Sequence, residues 1–343
     1  MQILAEKQFV LLPTVCKVLP TVVQIEPTNI CNLKCPLCPH NRISSDGKRH
    51  LSFKEFKYII DKFDYRTRIF LTKFGEPFLN PEVFRIIDYA KNKGHNICLS
   101  SNFDIDKSII KDIAKSRLDK ILISLDGFSQ ESNSKYRIGS NFNNIKGNML
   151  YLNQLKRDQN LPPLSITWQY LVNKYNENEI TNAAMFAKEN GISIEFSNMG
   201  LAEDLPEYNF GDLEKLKRKW LPNNTQFIRN YLLNNKPTYV ADSVCPFLWR
   251  SISINVDMKV TPCCYTHSDQ SYFGDISKDT IETIWNNEYY QAARCLFNGK
   301  TSANNSKKII CGSCNNFAKG ISRFNHFKTY INFISNKIEG WNK

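Results

Sequence analysis

A chain of 343 residues can bury a full core and is long enough for one large domain and a small one. Its 45 Lys and Arg against 33 Asp and Glu leave a net charge of +12 with no long basic run; this fits an acidic electron carrier or an anionic substrate, less specifically RNA, and equally a merely soluble basic surface. No apolar segment approaches membrane-spanning length, and the stretch Met1 to Lys7 carries an acid where a signal peptide has only bases, so the expectation is a cytoplasmic protein whose 11 cysteines serve metal rather than disulfides.

The β-branched run from Pro20 to Glu26 predicts a first strand, and Cys31-Asn-Leu-Lys-Cys35-Pro-Leu-Cys38 follows on the loop that leaves it. Three closely spaced thiols suit a soft metal, but a structural zinc site or a fully ligated iron-sulfur cluster needs four ligands. If three thiolates hold a four-iron cluster, one iron stays open; a zinc knuckle or chance clustering is the plain alternative. Ser52 and Glu55 form a capping box for a helix through about Phe63, and Arg68–Thr72 reads as a second strand. Asn80-Pro81 predicts a cap with proline at the first helical position, the helix running to Gly94. Strands at 96–100, 120–125, 165–172 and 192–196 then alternate with helices near 107–114, 144–156 and 177–189. Six βα units with short connections imply a parallel sheet, and in parallel αβ barrels the chemistry gathers at the C-terminal strand ends. Those ends carry Lys73-Phe74-Gly75-Glu76-Pro77, Ser100-Ser101-Asn102 and Ser124-Leu125-Asp126-Gly127.

Singly these are ordinary turn residues. Together with the C-x3-C-x2-C loop, in this order, they resemble the radical S-adenosylmethionine (SAM) enzymes over about residues 22–200. The resemblance implies an α/β fold, a partial (β/α)6 barrel, with a [4Fe-4S] cluster held by Cys31, Cys35 and Cys38 whose open iron binds SAM and whose reduction yields a 5′-deoxyadenosyl radical. It also implies that Gly75, Glu76 and Pro77 match the family's GGE element, Glu76 receiving the SAM amino group, a fit for a carboxylate. Ser101 and Asn102 fall in the SAM site, and Ser124 and Asp126 match polar residues near the ribose and carboxylate. Arg137 looks like an arginine that pairs with the SAM carboxylate, a surface salt bridge being the alternative. Two positions depart from the pattern: Leu37 stands where an aromatic often packs near adenine, and Phe74 replaces the first glycine of GGE.

Between about Asn198 and Val244 the βα rhythm stops and Pro and Asn punctuate two candidate helices, a bridge between domains. Next come Cys245, a hairpin from alternating residues on either side of Asp257-Met258, Cys263-Cys264, a helix containing Ile284-Trp285-Asn286, and Cys311-Gly-Ser-Cys314. Cys245, Cys263, Cys311 and Cys314 could close a four-thiolate shell, for zinc or for a cluster. The order of features resembles the twitch domain, a shortened relative of the SPASM domain, which implies an auxiliary [4Fe-4S] cluster with every iron ligated by protein; the family pattern places the ligand directly after proline, hence Cys263 rather than Cys264. The expected organisation is an N-terminal arm at 1–21, the barrel at 22–200, a helical bridge at 201–240, the auxiliary cluster domain at 241–316 and a C-terminal helix at 317–343. Of the remaining thiols, Cys98 reads as core filler and Cys16 has no identifiable partner, while Cys264 and Cys295 are candidate hydrogen-atom donors, or inert filler.

The resemblance implies a radical SAM oxidoreductase that receives an electron from reduced flavodoxin or ferredoxin. Either the auxiliary cluster takes up an electron and a carbohydrate or cyclitol alcohol is oxidised, or a cysteine returns hydrogen and a sugar or peptide residue is epimerised. Peptide maturation with crosslinking is a third outcome, against which residues 1–21 are too short for the leader-binding domain that many such maturases carry, although a partner could supply it. A zinc-stabilised RNA-binding protein and a plain electron carrier are the alternatives of other classes. No aromatic-basic RNA signature is present, so no nucleic-acid partner is expected, and three-thiol ligation opposes a carrier.

Overall fold

The computed structural model describes residues 12–42, 44, 47–157, 160–201, 211–228, 245, 247–266, 271–297 and 309–314. Six strands, β1 (Val22–Ile25), β2 (Arg68–Leu71), β3 (Asn96–Ser101), β4 (Lys120–Ser124), β5 (Ser165–Val172) and β6 (Ser193–Asn198), pair side by side and parallel. Helices α1 (Phe53–Ile60), α2 (Val83–Asn92), α3 (Lys107–Lys115), α4 (Gln130–Tyr136), α5 (Phe142–Leu155) and α6 (Ile180–Glu189) fall between them. The partial (β/α)6 barrel that the resemblance implied is therefore present.

Alternation along the strands sorts their two faces. Val23, Ile25, Ile69, Leu71, Ile97, Leu99, Ile121, Ile123, Ile166 and Trp168 join the helices in one continuous core. The opposite, helix-free face carries Gln24, Phe70, Cys98 and Lys120 along one register row, and Ser124, Gln169 and Glu195 along another. Cys98, read as core filler, thus lies on the inner face of the barrel. There its neighbours Phe70 and Lys120 are half-buried and buried.

The sheet does not end at β1. β7 (Ser251–Ile254) pairs with it in parallel, Val22 opposite Ser251, and β8 (Lys259–Thr261) and β9 (Gly274–Asp275) continue antiparallel, giving nine strands in the order β6-β5-β4-β3-β2-β1-β7-β8-β9. The hairpin expected around Asp257-Met258 is there, and Met258 adopts φ 66° in its turn. A bridge helix, α7 (Leu213–Trp220), and three C-terminal helices, α8 (Phe247–Arg250), α9 (Ile281–Trp285) and α10 (Glu288–Phe297), complete the described elements.

Local signals held with three adjustments. The Ser52/Glu55 capping box forms, but α1 ends at Ile60. The helix expected from Pro81 begins at Val83, because Pro77–Leu79 is a short 3₁₀ turn and Asn80 is engaged elsewhere: its amide donates to Pro27 O (2.7 Å) and Leu51 O (2.9 Å), and its Oδ1 accepts from Glu82 N (2.9 Å). Residues 177–179 are a 3₁₀ turn preceding α6. The helix expected at 317–343 and most of residues 1–21 and 201–244 lie outside the described residues.

Candidate active site

The Cys31–Cys38 loop leaves β1 and is fixed from both sides. Thr28 Oγ1 accepts from Ile30 N (3.0 Å) and donates to Arg49 O (3.1 Å), Asn29 exchanges hydrogen bonds with Gly47 O and Arg49 N, and His40 Nδ1 meets Asn29 O at 2.9 Å. On the other flank Lys34 N donates to Ile138 O (2.9 Å), just beyond α4. Leu33, Cys35 and Leu37 pack with Tyr136, Met199 and Trp220 into a small second core, over which α7 lays Leu213 and Leu216. Leu37, expected near adenine, is a buried part of that packing.

Burial pushes the Cys31 thiol up to about 11 and the Cys38 thiol up to about 12, and raises Cys35 as well. Left alone the three thiols stay protonated; a bound metal reverses this by taking them as thiolates. Donors are already aimed at the sulfur: Leu33 N lies 3.4 Å and Asn102 Nδ2 3.7 Å from Cys31 Sγ. Among the described residues no three His, Cys, Asp or Glu side chains are gathered to hold a single metal ion; a four-iron cube keeps its thiolates farther apart than one zinc ion does. A soft, three-thiol, donor-lined loop fits a cluster with one open iron.

The strand-end residues converge on this loop. Glu76 N donates to Ile30 O (2.8 Å), and the Glu76 carboxylate, 1% exposed, accepts from Ser101 Oγ (2.8 Å), Asn102 N (2.7 Å) and Phe78 N (3.2 Å). Burial pushes its pKa up to about 7 against those donors. Asn102 Nδ2 also reaches Asn32 Oδ1 (2.8 Å), so Glu76, Ser101, Asn102 and the cysteine loop form one hydrogen-bonded unit. Gly75 is obligatory here: a Cβ would overlap the Thr28 carbonyl and come within 2.9 Å of Ile30 O, both backbone. Pro77 opens the following 3₁₀ turn.

Asp126 is fully buried, its Oδ1 accepting from Leu171 N (2.8 Å) and its Oδ2 paired with Arg137 Nε at 2.5 Å. Burial acts to lower the Arg137 guanidinium, but Asp126 and then Cys35 outweigh it and hold it charged. Arg137 is thus neither a surface salt bridge nor, at its Nε, open to a ligand: it joins a buried carboxylate to a cysteine of the loop. Ser124 is buried on the inner face, opposite Gln169.

Sequence reasoning missed two charged residues of this region. Glu26, fully buried, accepts from Phe74 N (3.4 Å) and Val256 N (3.1 Å). Lys73 donates to Ser253 Oγ (3.4 Å), Thr261 Oγ1 (3.2 Å) and Asn255 Oδ1. Both tie the barrel to the hairpin. Their one sequence signal is position, at the ends of β1 and β2.

The thiols of the second group act on one another. Burial raises Cys311, and Cys245, Cys263 and Cys314 add to it; Cys263 is raised by burial and then by Cys264, Cys314 and Cys245. Because β7 runs parallel to β1, Cys245 before it and Cys263 after the antiparallel β8 lie toward the sheet edge where β1 begins, whereas Cys31–Cys38 follows the end of β1. Cys245 and Cys263 therefore lie at the opposite strand ends from the Cys31–Cys38 loop. Cys264 follows Cys263 and is half-buried; Cys295 is half-buried on α10. Cys16 is clasped at its backbone by Asn286, through Cys16 N to Oδ1 (2.8 Å) and Nδ2 to Cys16 O (3.0 Å).

Among the described residues no helix is long and apolar enough to cross a membrane. The radical SAM superfamily pattern matches residues 25–199, and that of the SPASM iron-sulfur cluster-binding domain matches residues 245–315. The chain is 27% identical to the protein MJ0804 of Methanocaldococcus jannaschii over 199 residues, 53% of this chain and 65% of the relative. It is 32% identical to the mycofactocin maturase MftC of Mycobacterium ulcerans over 129 residues, 36% of this chain and 34% of the relative. It thus spans less than two thirds of the length of either curated relative. Streptococcus suis SuiB bound to S-adenosylmethionine superposes with a TM-score of 0.60 at 17% identity, covering 86% of this chain and 72% of SuiB, a likeness of fold. This chain belongs to the radical SAM superfamily and carries a C-terminal SPASM domain, so that its cofactors are SAM, the [4Fe-4S] cluster that binds it and an auxiliary [4Fe-4S] cluster.

Proposed function

We propose that this radical SAM enzyme is an oxidoreductase acting on a polar substrate, a peptide segment or a carbohydrate, seated on the inner face of the barrel. The observation that carries the reading is that Cys245 and Cys263 flank strands β7 and β8 at the end of the sheet where β1 begins, while Cys31–Cys38 follows the end of β1, with Gln24, Ser100, Gln169 and Glu195 on the inner face. Cys31, Cys35 and Cys38 would hold the SAM-binding cluster, and Cys245, Cys263, Cys311 and Cys314 the auxiliary one. Loaded with SAM, the first centre would supply radical abstraction of a substrate hydrogen atom, and the auxiliary centre would supply an acceptor for the second electron of a net two-electron oxidation.

The residues around the first loop supply order. Glu76, kept in place by Ser101 and Asn102, offers a carboxylate near the open iron for an ammonium group, and the Asp126–Arg137 pair fixes the loop at Cys35. A reduced flavodoxin or ferredoxin would bring the electron. The exposed Lys215, Arg218 and Lys219 on α7, which covers the loop, supply the basic face that an acidic carrier needs. The peptide branch is favoured by the relative named a mycofactocin maturase and by SuiB, which has been solved bound to precursor peptide SuiA.

The test is anaerobic turnover with dithionite, SAM and candidate peptides or polyols, followed by mass spectrometry. 5′-Deoxyadenosine formation with a product two hydrogens lighter is the expected result. Solvent deuterium at an inverted carbon, with no mass loss in light water, would replace oxidation by epimerisation and return attention to Cys264 and Cys295.

A further inference from the structure

We infer that Tyr290 is a hydrogen-bond donor to the auxiliary cluster, its phenol engaging a sulfur there and biasing the centre toward its reduced state. This rests on the reading that Cys245, Cys263, Cys311 and Cys314 hold that cluster.

Tyr290 is fully buried and its hydroxyl has no hydrogen-bond partner among the described residues. An unpaired buried hydroxyl is destabilising, so it calls for an acceptor from outside the polypeptide. The ring has no freedom to seek water: it packs at 4.8 Å on Trp285 and edge-on at 5.1 Å against Phe273, and the Arg294 guanidinium lies 5.2 Å from its centroid.

Its position supplies the acceptor. Tyr290 sits on α10, which lies between α8, following Cys245, and the 3₁₀ turn Ile310–Ser313 that carries Cys311. Arg294 Nε, one turn along, donates to Leu248 O (2.8 Å), and Leu296 Cδ1 faces Gly312. Burial raises the phenol, Arg294 draws it back, and the neighbouring Cys311, Cys263 and Cys245 raise it further; its O–H is available to donate. The acceptor within reach of three of the four thiols is a cluster or cysteine sulfur. Donation to sulfur spreads the negative charge of the reduced cluster and raises its reduction potential. Arg294, whose partners are the carbonyls of Leu248 and Thr14 and the Asn286 side chain, places a positive charge over the same ring and strengthens the donor.

The experiment isolates the auxiliary centre in a Cys31→Ala, Cys35→Ala, Cys38→Ala protein reconstituted anaerobically with iron and sulfide. Four irons per chain and an electron paramagnetic resonance signal on reduction establish the centre; no iron would refute the ligand reading and leave Tyr290 nothing to donate to. In that background Tyr290→Phe is expected to retain iron and to show a more negative midpoint in a potentiometric titration, about 59 mV for each tenfold change in the reduction equilibrium. Full iron with an unchanged midpoint overturns the inference. Should Tyr290→Phe fail to load, replacing Tyr290 by 3-fluorotyrosine, which keeps the ring and strengthens the donor, must raise the midpoint; an unchanged value again overturns it.

Discussion

The two thiol groups differ in how their buried polar groups are satisfied. Around Cys31, Cys35 and Cys38 an apolar core of Leu33, Leu37, Tyr136, Met199 and Trp220 is joined by buried polar groups that satisfy one another: Glu76 with Ser101 and Asn102, Asp126 with Arg137 and Leu171 N. Around the second group the buried side chains are aromatic and aliphatic, Trp285, Tyr290, Phe273 and Leu248, with the Tyr290 hydroxyl and one Arg294 nitrogen unpartnered. A centre that must admit and orient a charged co-substrate needs pre-organised polar walls. One that exchanges only electrons is served by a low-dielectric wall with few, well-placed dipoles. The contrast suits one centre to SAM and the other to electron storage.

Removing a ligand from each side breaks the comparison most severely. Cys35→Ala should abolish 5′-deoxyadenosine formation while leaving the auxiliary iron in place. Cys311→Ala should lose auxiliary iron yet still cleave SAM. Iron analysis and chromatography of reduced enzyme read both, and cleavage surviving in Cys35→Ala would refute the assignment of the open centre.

Next in size is the Asp126–Arg137 pair. Removing one partner of a buried, hydrogen-bonded ion pair leaves a bare charge and costs about 3–5 kcal/mol. Arg137→Met should therefore lower the denaturation midpoint, and it should loosen the first loop because Arg137 also reaches Cys35. Asp126→Asn with Arg137→Met should recover part of the loss. No interaction energy in that cycle would mean that the pair is not formed.

Gly75→Ala is the steric version of the same question. The new methyl would meet backbone on two sides, Thr28 and Ile30, and backbone cannot yield as a side-chain tip can; overpacking of this kind costs about 1–3 kcal/mol. Gly147 on α5 has nothing within 4 Å, so Gly147→Ala should stabilise by up to about 1 kcal/mol through helix propensity. Thermal denaturation of the two variants should move in opposite directions, and only Gly75→Ala should impair SAM cleavage.

These contrasts follow how much was legible in the sequence. Short-range signals were: strand β5 spans the expected residues 165–172, Ser52 and Glu55 cap α1, and the cysteine spacing picked out the first loop. Pairings between distant segments were not. Nothing local in Ser251–Ile254 announces that it lies parallel to Val22–Ile25, so the auxiliary hairpin read as a separate unit instead of a continuation of the barrel sheet. Cys98 is buried in its strand as expected, but a short apolar run does not say which alternate residues face the helices, so its place on the inner face was not legible. Asn80 keeps its cap-type bond from Glu82 N, but its further bonds to the Pro27 and Leu51 carbonyls, which tie it to distant segments, had no local signal. Glu26 and Lys73 resemble ordinary strand-end polar residues until the hairpin brings their partners.

The smallest expected effect sharpens the comparison at the buttress of the first loop. Ser52 and Glu55 cap α1 beside Arg49, whose backbone holds Thr28 and Asn29; Ser52→Ala should cost about 1 kcal/mol. Burial acts upward on the Glu55 carboxyl, but the Ser52 amide and hydroxyl and the Arg49 guanidinium outweigh it and hold it below the usual carboxylate range. A carboxyl depressed in the folded state stabilises fully above its unfolded pKa, near 4.3, and loses that contribution as pH falls through the folded value. The stability gap between the parent protein and Glu55→Gln should be full at neutral pH and close below about pH 4. Hydrogen exchange localises the effect: the Asn29 amide, which donates to Arg49 O (3.3 Å), should exchange faster in Ser52→Ala, while the Asn255 amide of the auxiliary hairpin, donating to Lys259 O (2.8 Å), should not change. Equal acceleration at both amides would mean that the two thiol regions open as one unit and that their different surroundings confer no separate stability.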